Sequence, residues 1–176
     1  MINRVSSHFL FCEPDRILRQ SVIERDGNQT VKAIFSLNDK NVETAQTSFF
    51  NGVISAEIVS LKLNTIEEQL IGIGNEYNYV DLSLKNPVID FTINKQLLID
   101  FGTEDTDEIN RILRKAGELF ASFSVFDFIA ASVYYPALLV NRNAVIELYK
   151  SAELILWEQV DLVLKQLKAE TRIREI

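Results

Sequence analysis

The residues able to do chemistry are few, and the densest group lies past the middle of the chain. Asp100, Glu104, Asp105, Asp107 and Glu108 form the main acidic run. Carboxylate oxygens suit a hard divalent cation such as Mg²⁺ or Ca²⁺, so Asp100, Glu104 and Asp105 are the fallback candidates for a metal site. Asp and Glu are also favoured where a helix starts, by its exposed N–H groups and its dipole, and capping is the stronger reading. The triplet Asp100-Phe101-Gly102 mimics a kinase motif, but no glycine-rich loop or catalytic loop accompanies it. Gly72-Ile73-Gly74 could begin a dinucleotide fingerprint, yet the third glycine position holds Tyr77, so a turn is expected.

His8 and Cys12 are the single histidine and the single cysteine. That removes an internal disulfide framework and leaves little for a His-built zinc site or a His-based triad. Cys12 has no basic neighbour before Arg16 and reads as a small apolar filler rather than an activated nucleophile. His8 reads as a strand residue. Tyr77, Tyr79, Tyr134, Tyr135 and Trp157 could line a ligand pocket, although aromatics at this density are more often core.

The elements that must position these groups follow from pattern. The chain has 176 residues, 47% hydrophobic and 24% charged, which is globular composition. Its net charge of -7 argues against nucleic-acid and anionic-membrane surfaces, which call for clustered Lys and Arg. The apolar run Phe9 to Cys12 is too short for a signal-peptide core, and no run reaches a membrane span, so a cytoplasmic protein is expected.

The first third reads as strands. Residues 21–25 and 30–35 flank Asp26-Gly27-Asn28, a hairpin signal. Asn51-Gly52 reads as a second turn before a β-branched run from Val53 to Leu63. Pro87–Ile93 and Gln96–Phe101 read as strands. From Asp105 to Ser122, Ile109, Ile112, Leu113, Ala116 and Phe120 recur at helical spacing. Ser124 with Asp127 marks a second helix running towards Tyr135, which Pro136 stops or replaces by another short one. Residues 153–158 and the tail from Val163 to Ile176 read as strands. Strands, helices, strands predict an α+β fold.

This order of segments resembles the amidohydrolase superfamily, the metal-dependent hydrolases. There a small β-sandwich made from both chain ends carries an inserted metal-binding barrel. Gln20 to Phe35 resembles the family's opening strands, and residues 51–56 resemble the stretch leading to the first barrel strand. Residues 99–104 resemble the last barrel strand, and Phe126 to Leu139, with Tyr135-Pro136-Ala137, the closing helices. Residues 153–158 resemble the strand that re-enters the sandwich. The resemblance implies a composite β-sandwich from residues 1–55 and 150–176, with residues 56–149 as an inserted barrel remnant.

The departures from the family are chemical. Its His-x-His metal pair falls on Leu61-Lys62-Leu63, and leucine has no lone pair for a metal. Between Leu63 and Ile99 lie 35 residues, too few for six strand–helix units of about 30 residues each. The last strand's ligand aspartate falls on Glu104. The expected function is therefore that of a non-catalytic amidohydrolase-like protein without a metal site or cofactor, acting by binding or subunit association. The alternative is a hydrolase using carboxylates and a hard divalent metal. Leu61 and Leu63 are expected to be buried against Ile112, Leu113 and Phe120. The surplus of Phe120, Phe123, Val125, Phe126, Phe128 and Ile129, with unpaired edges at residues 53–63 and 96–101, points to a homodimer through the insert. Phe123 and Phe126 are the interface candidates, and a full-length amidohydrolase paralogue is the other expected partner.

Overall fold

The computed structural model describes residues 2–39, 46–61, 77–84, 95–121, 123–143 and 145–176. The fold is α+β and mostly sheet. The main sheet holds β1 (Asn3–Glu13), β2 (Arg16–Arg19), β3 (Ser21–Arg25), β4 (Val31–Ser36), β5 (Thr47–Ala56), β8 (Leu154–Glu158) and β9 (Arg172–Glu175). Its order is β4-β3-β1-β5-β8-β9, with β2 on the far half of β1. β1 and β5 run parallel, and the other pairs are antiparallel. A second, parallel pair joins β6 (Tyr77–Asp81) to β7 (Gln96–Asp100). Both ends of the chain therefore meet in one hydrogen-bonded sheet.

The first hairpin forms where the sequence places it. Asp26 makes it: its Oδ1 accepts from the N–H groups of Asn28 (2.9 Å) and Thr30 (3.1 Å). The left-handed residue is Gln29, φ 60°, rather than Gly27. Asn51-Gly52, in contrast, is not a turn. Both residues lie inside β5, where the register with β1 shifts between Ser7/Phe50 and Phe9/Val53. A Cβ at Gly52 would lie 2.0 Å from the Trp157 carbonyl oxygen. The glycine thus permits a bulge and a close strand approach, two meanings of glycine that local sequence does not separate from a turn. The tail is likewise shorter than expected: its strand is only β9. Before it, residues 161–166 form a loop in which the Asp161 carboxylate accepts from the N–H groups of Val163 and Leu164.

Helix α1 (Thr106–Leu119) starts at Asp105, whose side chain accepts from the Glu108 N–H at 2.8 Å. It buries Ile109, Leu113, Ala116 and Gly117. Ser124 starts α2 (Val125–Ile129), capping the Phe126 N–H at 3.2 Å. A π-helical turn (Ala130–Tyr134) then leads into α3 (Tyr135–Leu139), so Pro136 opens a short helix. Pro136 has no N–H and crowds the carbonyl four residues back. Widening the preceding turn, with the Tyr135 N–H on the Ala130 carbonyl, is one way to carry it without breaking the segment.

The core lies between the sheet and these helices. Phe128 packs edge-on against Trp157 (6.1 Å), Phe120 (5.3 Å) and Phe101 (6.4 Å). Phe120, Val125, Phe128 and Ile129 are buried, which corrects the expectation that this run could not face one core. Phe123 and Phe126 are half-buried against Phe120 and Phe9. The expected open edges are partly paired: β5 is flanked by β1 and β8 as far as Ala56, and β7 pairs with β6 on one side. Pro87–Ile93 and the Gly72-Ile73-Gly74 turn lie outside the described residues.

Candidate functional site

β5 ends at Ala56, and residues 57–61 continue beyond its ladder. Their backbone N–H groups therefore need acceptors from elsewhere. Two of the acidic candidates supply them. Asp100, the last residue of β7 and 1% exposed, accepts from the Leu61 N–H at 3.3 Å. Glu104 Oε1 accepts from the Ser60 N–H at 3.3 Å. The two carboxylates stand in for a neighbouring strand. Asp100 also accepts from the Gly102 N–H (2.9 Å) and, on Oδ2, from the Tyr79 hydroxyl (3.3 Å). Burial, with Asp100 and Asp81 nearby, pushes the Tyr79 phenol well above its ordinary value.

Asp105 is occupied at the start of α1. Asp100 and Glu104 thus hold adjacent backbone N–H groups, while Asp105 caps a helix. Among the described residues, no three His, Cys, Asp or Glu side chains are grouped to hold a metal ion.

Leu61 is 2% exposed, as expected for a structural position. It does not pack on Ile112, Leu113 and Phe120. It joins Leu98 in a cluster edged by Tyr77, Tyr79, Tyr135, Leu139 and Val140, because its segment is bound to the end of β7 rather than to α1. Leu63 lies outside the described residues.

Glu104 alone reaches an open site. A cavity of about 490 Å³ lies where the end of β5, the start of α1 and strands β8 and β9 meet. On its wall, Arg142 bridges Glu104 (2.8 Å) and Glu57 (3.5 Å). Burial raises the Glu57 carboxyl above its ordinary value; Arg142 opposes this, while a hydrogen bond with Glu153 adds to it. Glu175, also on the wall, accepts from the Thr106 hydroxyl at 3.3 Å.

Arg25 forms another part of the wall and is itself 1% exposed. Its guanidinium donates to the backbone oxygens of Ala152 (3.2 Å) and Ile176 (2.8 Å), and burial lowers its pKa. Glu57, Arg142, Glu153 and Arg25 were not singled out from sequence. Each is an ordinary charged residue locally, and only the fold makes them neighbours.

The other candidates stay apart. Cys12 is fully buried, and burial pushes its thiol up to about 11, away from nucleophilic use at neutral pH. His8 lies half-buried on β1 with its ring edge 5.1 Å from Phe49. Tyr77 and Tyr134 both pack against Tyr135, tilted and edge-on respectively, but Trp157 is in the core, donating to the Ser55 hydroxyl at 2.9 Å. Among the described residues, no helix is long and apolar enough to cross a membrane. In comparisons with known proteins, no family model and no curated relative matches the chain.

Proposed function

We propose that this chain is a non-catalytic amidohydrolase-like protein that lacks the metal site and acts by binding or subunit association. One observation carries the reading: the carboxylates best placed for metal chemistry in the sequence are spent on backbone N–H groups. Each of these carboxylates is oriented by the donor it accepts from, and a cation would have to share it with that donor. The burial of Leu61, at a family metal position, and the meeting of both chain ends in one sheet support the same view. The alternative is a hydrolase built on Asp100, Glu104 and Asp105 with a hard metal; the helix-capping role of Asp105 favours the first reading over it.

The partner is a second copy or a full-length amidohydrolase paralogue, docking on the insert around the half-buried Phe123 and Phe126. Elemental analysis and light scattering of the purified protein test the two parts separately. The expected results are no stoichiometric transition metal and a dimer at tens of micromolar that Phe126→Asp dissociates. A stoichiometric metal lost on Glu104→Gln, with turnover of an amide substrate, would overturn the non-catalytic reading. A monomer would leave the paralogue as the partner.

A further inference from the structure

A second concavity lies alongside α1. It is about 630 Å³, walled by α1 on one side and by residues 159 and 169–172 on the other. Its walls are held in place by packing and hydrogen bonds. Gly117 lets the 168–169 backbone lie directly on the helix: a Cβ there would come within 2.5 Å of the Lys168 carbonyl oxygen. The Asn110 side chain clamps the backbone of Ile173 in β9, donating to its carbonyl (2.9 Å) and accepting from its N–H (2.7 Å). The Thr171 hydroxyl accepts from the Lys168 N–H at 2.8 Å and donates to the Gln159 carbonyl at 3.4 Å. Such a groove exists before any ligand arrives, so little ordering would be needed on binding.

Its charge is less acidic than the chain's as a whole. Arg111, Arg114 and Arg172 line it, against Asp107 and Glu170. Arg111 and Arg114 are one turn apart on an exposed helix face. Neither has a salt bridge among the described residues, although the protein carries an excess of carboxylates. Arg172 pairs with Glu158 through Nε at 2.9 Å, which leaves its terminal nitrogens open. Guanidinium forks match the oxygens of phosphate and carboxylate groups two at a time. We propose that the groove between α1 and residues 159–172 binds a small molecule carrying a doubly charged oxyanion group, a phosphate ester or a dicarboxylate, through Arg111, Arg114 and Arg172.

Isothermal titration of the full chain with pyrophosphate and, separately, with citrate at low ionic strength tests this. Saturable one-to-one binding of at least one probe is expected, and the stronger arm identifies phosphate or carboxylate as the preferred group. The exposed double variant Arg111→Gln/Arg114→Gln should weaken binding by about tenfold or more, the scale of one or two charge-assisted hydrogen bonds. Added salt should weaken it further. Arg16→Gln/Arg19→Gln removes the same charge on β2, away from the groove, and should leave affinity within about twofold, since distant exposed charges are screened. Absence of saturation with both probes at millimolar concentration overturns the proposal, as does equal weakening by the two double variants. Unchanged thermal melting of both variants shows that the comparison is between folded proteins.

Discussion

Two buried polar contacts show how differently the main sheet and residues 57–61 are held. Between β5 and β8, the Trp157 indole donates to the Ser55 hydroxyl at 2.9 Å, a neutral pair inside an apolar core. At the end of β7, Asp100 is a buried acceptor for two backbone N–H groups and one phenol. In the sheet the ladder satisfies the backbone, so side chains are free to be apolar. Residues 57–61 have left the ladder, and acidic side chains take over the work of a strand. The sheet is therefore satisfied by its own ladder, and residues 57–61 by hydrogen bonds to acidic side chains.

Substitutions can break this contrast. The largest effect is expected at Trp157→Ala, which empties a fully buried site against Phe128 and removes the donor to the Ser55 hydroxyl, which keeps its own bond to the Ala56 carbonyl. It should cost about 3–5 kcal/mol, as large core truncations do, read by urea denaturation followed by circular dichroism. Asp100→Ala removes little volume but leaves the Leu61 and Gly102 N–H groups and the Tyr79 hydroxyl without this acceptor. A loss of about 2–4 kcal/mol is expected from several unsatisfied buried groups. A loss under about 0.5 kcal/mol, typical of a surface change, would mean that residues 57–61 are not held this way.

Tyr79→Phe sharpens the contrast by removing one donor and keeping the packing. About 1 kcal/mol is expected, the net value of a single hydrogen bond. The smallest effect concerns Glu57 in the cavity. Its folded carboxyl titrates above its ordinary 4.5, so the folded state holds the proton more tightly than the unfolded state. This contribution to stability is complete below the unfolded value and is lost as pH rises through the folded one. Glu57→Gln should flatten the melting temperature against pH across that window, with a gain at neutral pH of at most about 0.5 kcal/mol. A steeper dependence in the variant would contradict the assignment.

The helix starts at Asp105 and Ser124, the hairpin at Asp26 and the strand at residues 154–158 were legible because each is a local matter. A cap reaches an N–H three residues on, and an apolar stripe repeats within a turn. The candidate site was not legible to the same degree. Glu104 was picked out, but its partner Arg142 and the neighbouring Glu57 carry no local mark, and neither does Arg25, 127 residues from the Ala152 carbonyl it holds.

The sequence by itself determined the class of the fold and the location of its caps, periodic faces and hairpin. It also determined the scarcity of His and Cys that limits the chemistry. Only the tertiary structure decided that Asn51-Gly52 is a bulge under Trp157 rather than a turn. It also decided what Asp100 and Glu104 do, since the N–H groups they hold belong to Leu61 and Ser60, 39 and 44 residues away. A carboxylate's residue type says that it will accept hydrogen bonds or bind cations. Which of these it does depends on the donors that distant segments bring within about 3 Å of it, and no local pattern encodes that distance.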